Sequence, residues 1–189
     1  MKLNSLQLRK LEEERARGVM REVDRRPLYF ILEDIYDTYN IGGLFRLADA
    51  LAAEKIYLCG ETETPPNSRI KKASIGTYKI VPWAYKKTAP EAIEELKEKY
   101  NMIKRKEKSG IRIVAIEQAE RSVLFWKYDY QLPLALVVGN ESCGVKKETL
   151  SACDAIVEIP MYGINKSLNV IVAAAIVSYW AITNVKGKT

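Results

Sequence analysis

The chain has 189 residues, of which 48% are apolar and 29% are charged, a composition that supplies a buried core and excludes a fully disordered protein. It contains no histidine, which excludes Ser-His-Asp catalysis, Cys-His catalysis and zinc sites with histidine ligands. The net charge of +6 permits a polyanionic partner without demonstrating one.

The first 26 residues are strongly charged and contain few large apolar side chains. We predict a basic arm or surface helix over residues 1–26, followed by a single domain over residues 27–189. Two roles are open for this arm. One is contact with RNA through its excess of arginine and lysine, and the other is a solvated helix whose acidic side chains pair with its basic ones.

Apolar strands alternate with helices in the remainder of the chain. Strands are predicted at residues 28–35, 55–60, 79–83, 111–116, 134–138 and 155–159, and helices at 40–53, 88–104 and 167–184. This alternation is typical of a parallel sheet covered by helices on both faces. The predicted fold class is therefore a single α/β domain.

Cysteine usage and hydropathy bear on the compartment. The three cysteines, Cys59, Cys143 and Cys153, form no C-x-x-C pair and are too few for a zinc site of four thiolates. Their odd number and wide spacing predict reduced thiols in a cytoplasmic protein. The longest apolar stretch, Leu168 to Ile182, has 15 residues. Because a membrane span needs about 20 residues, we expect a buried core helix and no membrane partner.

In a doubly wound sheet, ligands bind in the loops that leave the strands. The first such loop leads into DTYNIGGLFRLADAL, residues 37–51. Asn40 is predicted to cap this helix, and Arg46 lies inside it among apolar neighbours. A guanidinium there needs an anionic or dipolar partner, which is either a ligand or an ion pair with Asp37 or Asp49.

Two later loops also carry polar side chains. GNESCGV, residues 139–145, follows the fifth predicted strand and places an amide and a carboxylate between glycines. IPMYGINKSLNV, residues 159–170, follows the sixth strand and leads into the apolar terminal helix. Because a helix that is apolar all round is buried, we expect Ser167 and Asn169 at its start to face a site. The alternative is that Ser167 only caps the helix.

Neither a P-loop nor a dinucleotide-binding G-x-G-x-x-G occurs. In order, N-x-G-x-x-x-R-x-A at 40–48, G-N-E-x-x-G at 139–144 and I-P-M-x-G-x-x-x-S-L-N-V at 159–170 resemble the three motifs of the SpoU/TrmH family. These proteins are RNA 2′-O-ribose methyltransferases of the SPOUT superfamily. The resemblance implies a parallel-sheet SPOUT fold with a C-terminal trefoil knot, an exception to unknotted topology. It also implies S-adenosylmethionine as cofactor, RNA as substrate, a homodimer and no metal.

The resemblance assigns roles by motif position. The catalytic candidates are Arg46, Asn40, Glu141, Ser167 and Asn169. The cofactor-binding candidates are Ile116, Gly139, Asn140, Ile159, Met161, Leu168 and Asn169. A guanidinium stays protonated up to about pH 12. Arg46 is therefore expected to orient the ribose hydroxyl or to stabilise the developing alkoxide, and in this family it acts near the cofactor of the other subunit.

The motifs depart from the usual pattern at Leu47, Val145 and Ile171, where threonine, leucine and serine are common, and these departures bear on RNA specificity. We favour tRNA over rRNA, because minimal single-domain members often act on tRNA. Two alternatives stay open: a knotted RNA-binding protein without catalysis, and a SPOUT enzyme that methylates a base nitrogen. Basic candidates for RNA contact are the arm, Lys71, Lys72 and the lysine-rich segment 97–108.

Overall fold

The computed structural model describes residues 23–104 and 110–185. Its strands are β1 (Arg26–Glu33), β2 (Ala53–Cys59), β3 (Trp83–Lys86), β4 (Arg112–Ile116), β5 (Val123–Leu124), β6 (Leu134–Val138) and β7 (Ala155–Glu158). They form one seven-stranded sheet in the order β3-β2-β1-β6-β4-β7-β5, and all paired neighbours run parallel. The predicted parallel sheet is confirmed.

Helices cover both faces of this sheet, as predicted. They are α1 (Thr38–Ala50), α2 (Ser68–Ser74), α3 (Ala89–Lys104), α4 (Lys147–Ala152) and α5 (Val170–Asn184). Alternate side chains of the central strand β1 enter two cores, because successive residues of a strand point to opposite faces. Leu28, Phe30 and Leu32 pack with α1 and α5, whereas Tyr29 and Ile31 pack with α3 and α4.

The cap predicted for α1 was wrong by three positions, and the alternative that Ser167 caps the terminal helix is also not what the structure shows. The side chain of Asp37 caps α1 by accepting the backbone N–H of Tyr39 at 2.8 Å, so Asn40 lies inside the helix. Asn169 caps α5 by accepting the N–H of Ile171 at 2.9 Å, and Ser167 does not cap it. Each loop offers several residues competent to cap, and the path of the chain selects among them.

The strand predicted at 79–83 was also wrong. Residues Thr77–Lys79 form a 3₁₀ turn, and strand β3 begins at Trp83. The carbonyl of Pro82 accepts the N–H of Ile56 at 2.9 Å, so pairing begins at the proline. Proline has no N–H to donate, and it is tolerated where an edge strand starts.

Helix α5 is buried on one side only, so the prediction of a fully buried helix was wrong for the isolated chain. Ala174, Val177 and Ala181 are fully buried, whereas the large side chains of Val172, Ile176, Tyr179 and Trp180 are exposed. In the part of the chain that the structure describes, no helix is long and apolar enough to cross a bilayer. The predicted trefoil knot stays a prediction.

The predicted arm lies almost entirely outside the described residues. At its described end, Arg25 donates hydrogen bonds to the carbonyls of Ala53 at 2.9 Å and Ile80 at 2.8 Å. These bonds attach Arg25 to the domain. Two lysines proposed for RNA contact are likewise used within the fold. Lys97 donates to the carbonyl of Ala152 at 2.7 Å, and Lys99 pairs with Glu54 at 2.6 Å.

Candidate active site

Polar side chains from the three motif segments form one hydrogen-bonded chain. The Nδ2 atom of Asn40 donates to Oε1 of Glu141 at 2.9 Å, and the Oδ1 atom of Asn40 accepts from Nδ2 of Asn169 at 3.0 Å. The two partners are 101 and 129 positions away in sequence. Asn40 is only 4% exposed, so both of its bonds are made where water does not compete. The fold therefore brings the three motifs together at Asn40.

Glu141 also organises the start of α1. Its carboxylate accepts the backbone N–H groups of Tyr36 at 3.4 Å and Asp37 at 3.3 Å. Glu141 thus satisfies N–H groups at and just before the N-cap, and Asp37 satisfies the N–H of Tyr39 in the first turn. The positive end of the helix dipole favours both carboxylates at this place.

The loop after β6 is shaped by Asn140. Its Nδ2 atom donates to the carbonyl of Asp34 at 2.8 Å, and its Oδ1 atom accepts the N–H groups of Ser142 at 2.8 Å and Cys143 at 3.0 Å. The backbones of Asn140 and Gly144 exchange two hydrogen bonds that close the loop. Asn140 therefore fixes the conformation of the segment that carries Glu141.

Two glutamates that the sequence analysis missed support the same loop from the sheet. Glu33, at 3% exposure, accepts the N–H of Lys146 at 2.9 Å and the hydroxyl of Thr149 at 2.6 Å. Glu117 accepts the N–H of Val145 at 2.9 Å. The available signal was their place at the carboxyl end of apolar strands, where buried carboxylates need donors from neighbouring loops.

Asp34 adds an ion pair at this edge. Its backbone is in the left-handed region, with φ of 51°, and its carboxylate lies 2.6 Å from Nζ of Lys146. Burial alone raises the pKa of Asp34, but hydrogen bonds from Lys146 and from the N–H of Glu61 outweigh it, so the pKa is lowered. The same bond to Asp34 raises the pKa of Lys146. Both groups are therefore charged at neutral pH.

A cavity of about 550 Å³ opens beside these groups, and we call it the strand-end cavity. Its volume is in the range of about 300–1,000 Å³ that is usual for small-molecule sites. The walls are apolar in part, and carboxylates outnumber ammonium groups. It is lined by Ile116, Glu117, Gln118, Val138, Gly139, Asn140, Glu141, Ser142, Cys143, Gly144, Glu158, Ile159, Met161, Lys166, Ser167, Leu168, Asn169, Val170 and Ala173.

All of the residues predicted to contact a cofactor line this cavity. Of the predicted catalytic residues, Glu141, Ser167 and Asn169 line it, whereas Asn40 and Arg46 do not. Asn40 reaches the wall through Glu141 and Asn169. Among the described residues, no group of three or more cysteine, aspartate or glutamate side chains is arranged to hold a metal ion.

Arg46 is exposed on α1, away from the strand-end cavity of its own chain. Neither Asp37 nor Asp49 pairs with its guanidinium, so the structure does not contain the ion pair that was the alternative to a functional role. Helix α1 packs against α5, where Gly43 adjoins the side chain of Ile171. The helix that carries Arg46 and the helix with the exposed apolar face therefore lie on the same side of the sheet.

Comparison of the sequence with known protein families gives a match that contains the three motif segments that the fold brings together. The sequence model of the SpoU rRNA Methylase family matches residues 27–179. The chain belongs to this family. The stretch matched in the SpoU rRNA Methylase family contains all three motif segments, from Asn40 to Asn169.

Individual relatives cover different shares of their own length. The chain is 31% identical over 161 residues to the 23S rRNA (guanosine-2′-O-)-methyltransferase RlmB of Neisseria meningitidis, with 84% of this chain and 59% of that protein covered. It is 30% identical over 176 residues to the tRNA (guanosine(18)-2′-O)-methyltransferase of Thermus thermophilus, with coverages of 92% and 84%.

A solved structure of an AdoMet-bound rRNA methyltransferase from Sinorhizobium meliloti is 29% identical and superimposes with a TM-score of 0.70. The match covers 89% of this chain and 63% of that chain. The chain spans about three fifths of the length of these two relatives.

Proposed function

We propose that this protein transfers the methyl group of S-adenosylmethionine to a ribose 2′-hydroxyl in structured RNA. The observation that carries the proposal is the hydrogen-bonded chain from Asn169 through Asn40 to Glu141 at the wall of the strand-end cavity. Family membership supports the reaction class, and the AdoMet-bound relative supports the cofactor.

The chemistry of the cavity fits this cofactor. Ile116, Ile159 and Leu168 offer apolar surface for an adenine ring, while Glu117, Glu141 and Glu158 surround the space with carboxylates. Negative charge favours a ligand that carries a sulfonium and an ammonium group. When bound, S-adenosylmethionine supplies a methyl group that is already activated for transfer. The protein then has to align the acceptor oxygen and exclude water.

The side chains of this chain have distinct parts in that task. Asn40 holds Glu141 and Asn169 at fixed positions on the cavity wall, since both of its amide atoms are engaged. The guanidinium of Arg46 remains protonated, so it orients the ribose hydroxyl or stabilises its developing negative charge without accepting the proton. Ser167, on the same wall, is available to contact the ribose.

A homodimer is part of the proposal. Arg46 does not line the cavity of its own chain, so a second copy has to supply it. The exposed apolar face of α5, with Val172, Ile176, Tyr179 and Trp180, supports a two-fold contact beside α1. Obligate dimers bury apolar surface of this kind.

We further propose tRNA as the substrate, in the cytoplasm. The similarity to the Thermus tRNA enzyme, at 30% identity over 92% of this chain, supports tRNA. Mapping 2′-O-methylated nucleotides in total RNA from cells with and without the gene tests the assignment. We expect one tRNA position to lose its methyl group. Loss confined to rRNA contradicts the tRNA assignment, and no loss in either RNA contradicts the function.

A further inference from the structure

A second cavity, of about 400 Å³, lies at the start of α1, and we call it the aromatic cleft. It shares no lining residue with the strand-end cavity, and none of the motif residues discussed above except Asp37 lines it. Its lining consists of Tyr36, Asp37, Thr38, Tyr39, Glu63, Asn67, Ser68 and Arg69.

Two tyrosine rings present open faces in this cleft. Tyr36 is 61% exposed and Tyr39 is 54% exposed. Within residues 23–104 and 110–185, neither ring stacks on another aromatic ring. Exposed tyrosines that keep their rings available are suited to stack on the planar face of a nucleobase.

Polar groups of three kinds surround the rings. Arg69 is exposed and offers a guanidinium for a phosphate. The Oδ1 atom of Asn67, a residue that lines the cleft, caps α2 by accepting two backbone N–H groups, at 2.9 and 3.2 Å, which leaves its Nδ2 atom available as a donor. Glu63 is exposed and offers acceptors for the amino group of a base. The set comprises what a nucleotide needs: a stacking surface, edge partners and one cation.

The acids of the cleft argue against a free anion as its ligand. Asp37 is committed to capping α1, but Glu63 retains an exposed carboxylate that repels phosphate. A nucleotide satisfies this mixture better, because its base and its phosphate are separated by the sugar. Lys71 and Lys72 are exposed on α2, the helix that carries Arg69, and they add positive charge that favours a polynucleotide.

The cleft adjoins the candidate active site through the main chain. The N–H groups of Tyr36 and Asp37, which line the cleft, donate to the carboxylate of Glu141, which lines the strand-end cavity. A nucleotide in the cleft therefore lies next to one whose ribose reaches Glu141.

We propose that the aromatic cleft binds one unpaired nucleotide of the RNA substrate, adjacent to the methylated nucleotide. Its base stacks on Tyr36 and Tyr39, and Arg69 contacts its phosphate. The inference rests on the proposed function and extends it, because it names residues that position the RNA strand at the site.

Steady-state kinetics with Tyr36→Ala and Tyr39→Ala test the cleft. Loss of base stacking typically weakens binding by about fivefold to 150-fold. We expect the KM for RNA to rise by such a factor, while kcat and the Kd for S-adenosylmethionine stay within about twofold. Tyr39→Phe keeps the aromatic ring and should have the KM of the wild type. Tyr85→Ala is the matched control, since Tyr85 is 52% exposed on β3 and lines neither cavity.

Binding of a short single-stranded oligoribonucleotide, followed by fluorescence anisotropy, needs no turnover and separates the two proposals. Weaker binding by both alanine variants, with binding by Tyr85→Ala unchanged, supports the cleft whether or not the wild-type protein methylates RNA. If the wild type methylates no RNA, that result overturns the proposed function but not the cleft. Normal methylation by the wild type, with KM and oligonucleotide Kd unchanged in both alanine variants, overturns the cleft alone.

Discussion

Gly139 tests how strictly the loop after β6 defines the strand-end cavity. A Cβ atom at this position would lie less than 3.0 Å from the carbonyl carbon of Gly144 and the backbone nitrogen of Val145. Both atoms belong to the main chain, so no side-chain rotation relieves the clash. Gly139→Ala therefore has to move Gly139 away from the backbone of Gly144 and Val145 at the other end of the loop.

The cost of this displacement follows from the contacts that it disrupts. Overpacking a tight site costs about 1–3 kcal/mol. Two hydrogen bonds between the backbones of Asn140 and Gly144, at 3.1 and 2.9 Å, lie in the displaced segment, and each contributes about 0.5–1.5 kcal/mol. The total is about 2–6 kcal/mol. For a domain of this size, 1 kcal/mol lowers Tm by about 2–4 °C, so we expect a decrease of about 4–24 °C.

Gly163→Ala is the matched control, because it makes the same change in the loop after β7, where a Cβ atom would meet nothing within 4 Å. Calorimetric unfolding and titration with S-adenosylmethionine should be run on both variants. We expect Gly139→Ala to lose at least about tenfold in cofactor affinity, and Gly163→Ala to match the wild type. A Gly139→Ala protein with unchanged Tm and unchanged affinity would refute this account of the loop.

Three further perturbations test separate parts of the site. Arg46→Ala should lower kcat by about a hundredfold or more, because it removes a cation that stabilises the transition state. Tm should stay unchanged, since Arg46 is exposed. Near-normal kcat would contradict its catalytic assignment. Asp34→Asn should reduce stability at pH 7 by about 0.5–1 kcal/mol, since Lys146 is largely solvated although the carboxylate of Asp34 is buried. Folding lowers the pKa of Asp34, so the stability that its carboxylate contributes is complete above the ordinary carboxyl pKa of about 3.9. That contribution is lost as pH falls through the lowered pKa. Denaturation curves of variant and wild type should therefore converge in acid. Light scattering should give twice the chain mass, and Tyr179→Glu on the exposed face of α5 should give a monomer with little activity; an active wild-type monomer would contradict the shared site.

The sequence predicted those elements whose apolar pattern is strong. The strands β1, β4, β6 and β7 are continuous apolar runs, because they lie in the middle of a sheet covered on both sides. Helix α2 was missed because only Ile70 and Ser74 of its seven residues are buried, which leaves no apolar period to detect. Its packing against α1 depends on Gly42, where a Cβ atom would collide with Ala73.

The candidate site likewise has features that the sequence predicted and features that it did not. Motif order predicted which residues meet at the strand ends, and the cavity is lined by all the residues expected to contact a cofactor. The place of Glu33 at the end of an apolar strand indicated a need for donors, but no local pattern identified its partner Thr149, which is 116 positions away. The exposure of Arg46 was also unexpected, since its apolar neighbours on the helix face the core and it does not.

The proposed reaction is tested most directly by incubating the purified protein with tRNA, and in a parallel reaction with rRNA, in the presence of S-adenosylmethionine carrying a deuterated methyl group. The RNA is then digested to nucleosides for mass spectrometry. The account predicts the label on a ribose 2′-oxygen, with Asn40→Ala strongly reduced because it breaks the link between Glu141 and Asn169. A label on a base nitrogen, or the absence of label from tRNA and rRNA alike while the protein binds RNA, would contradict it.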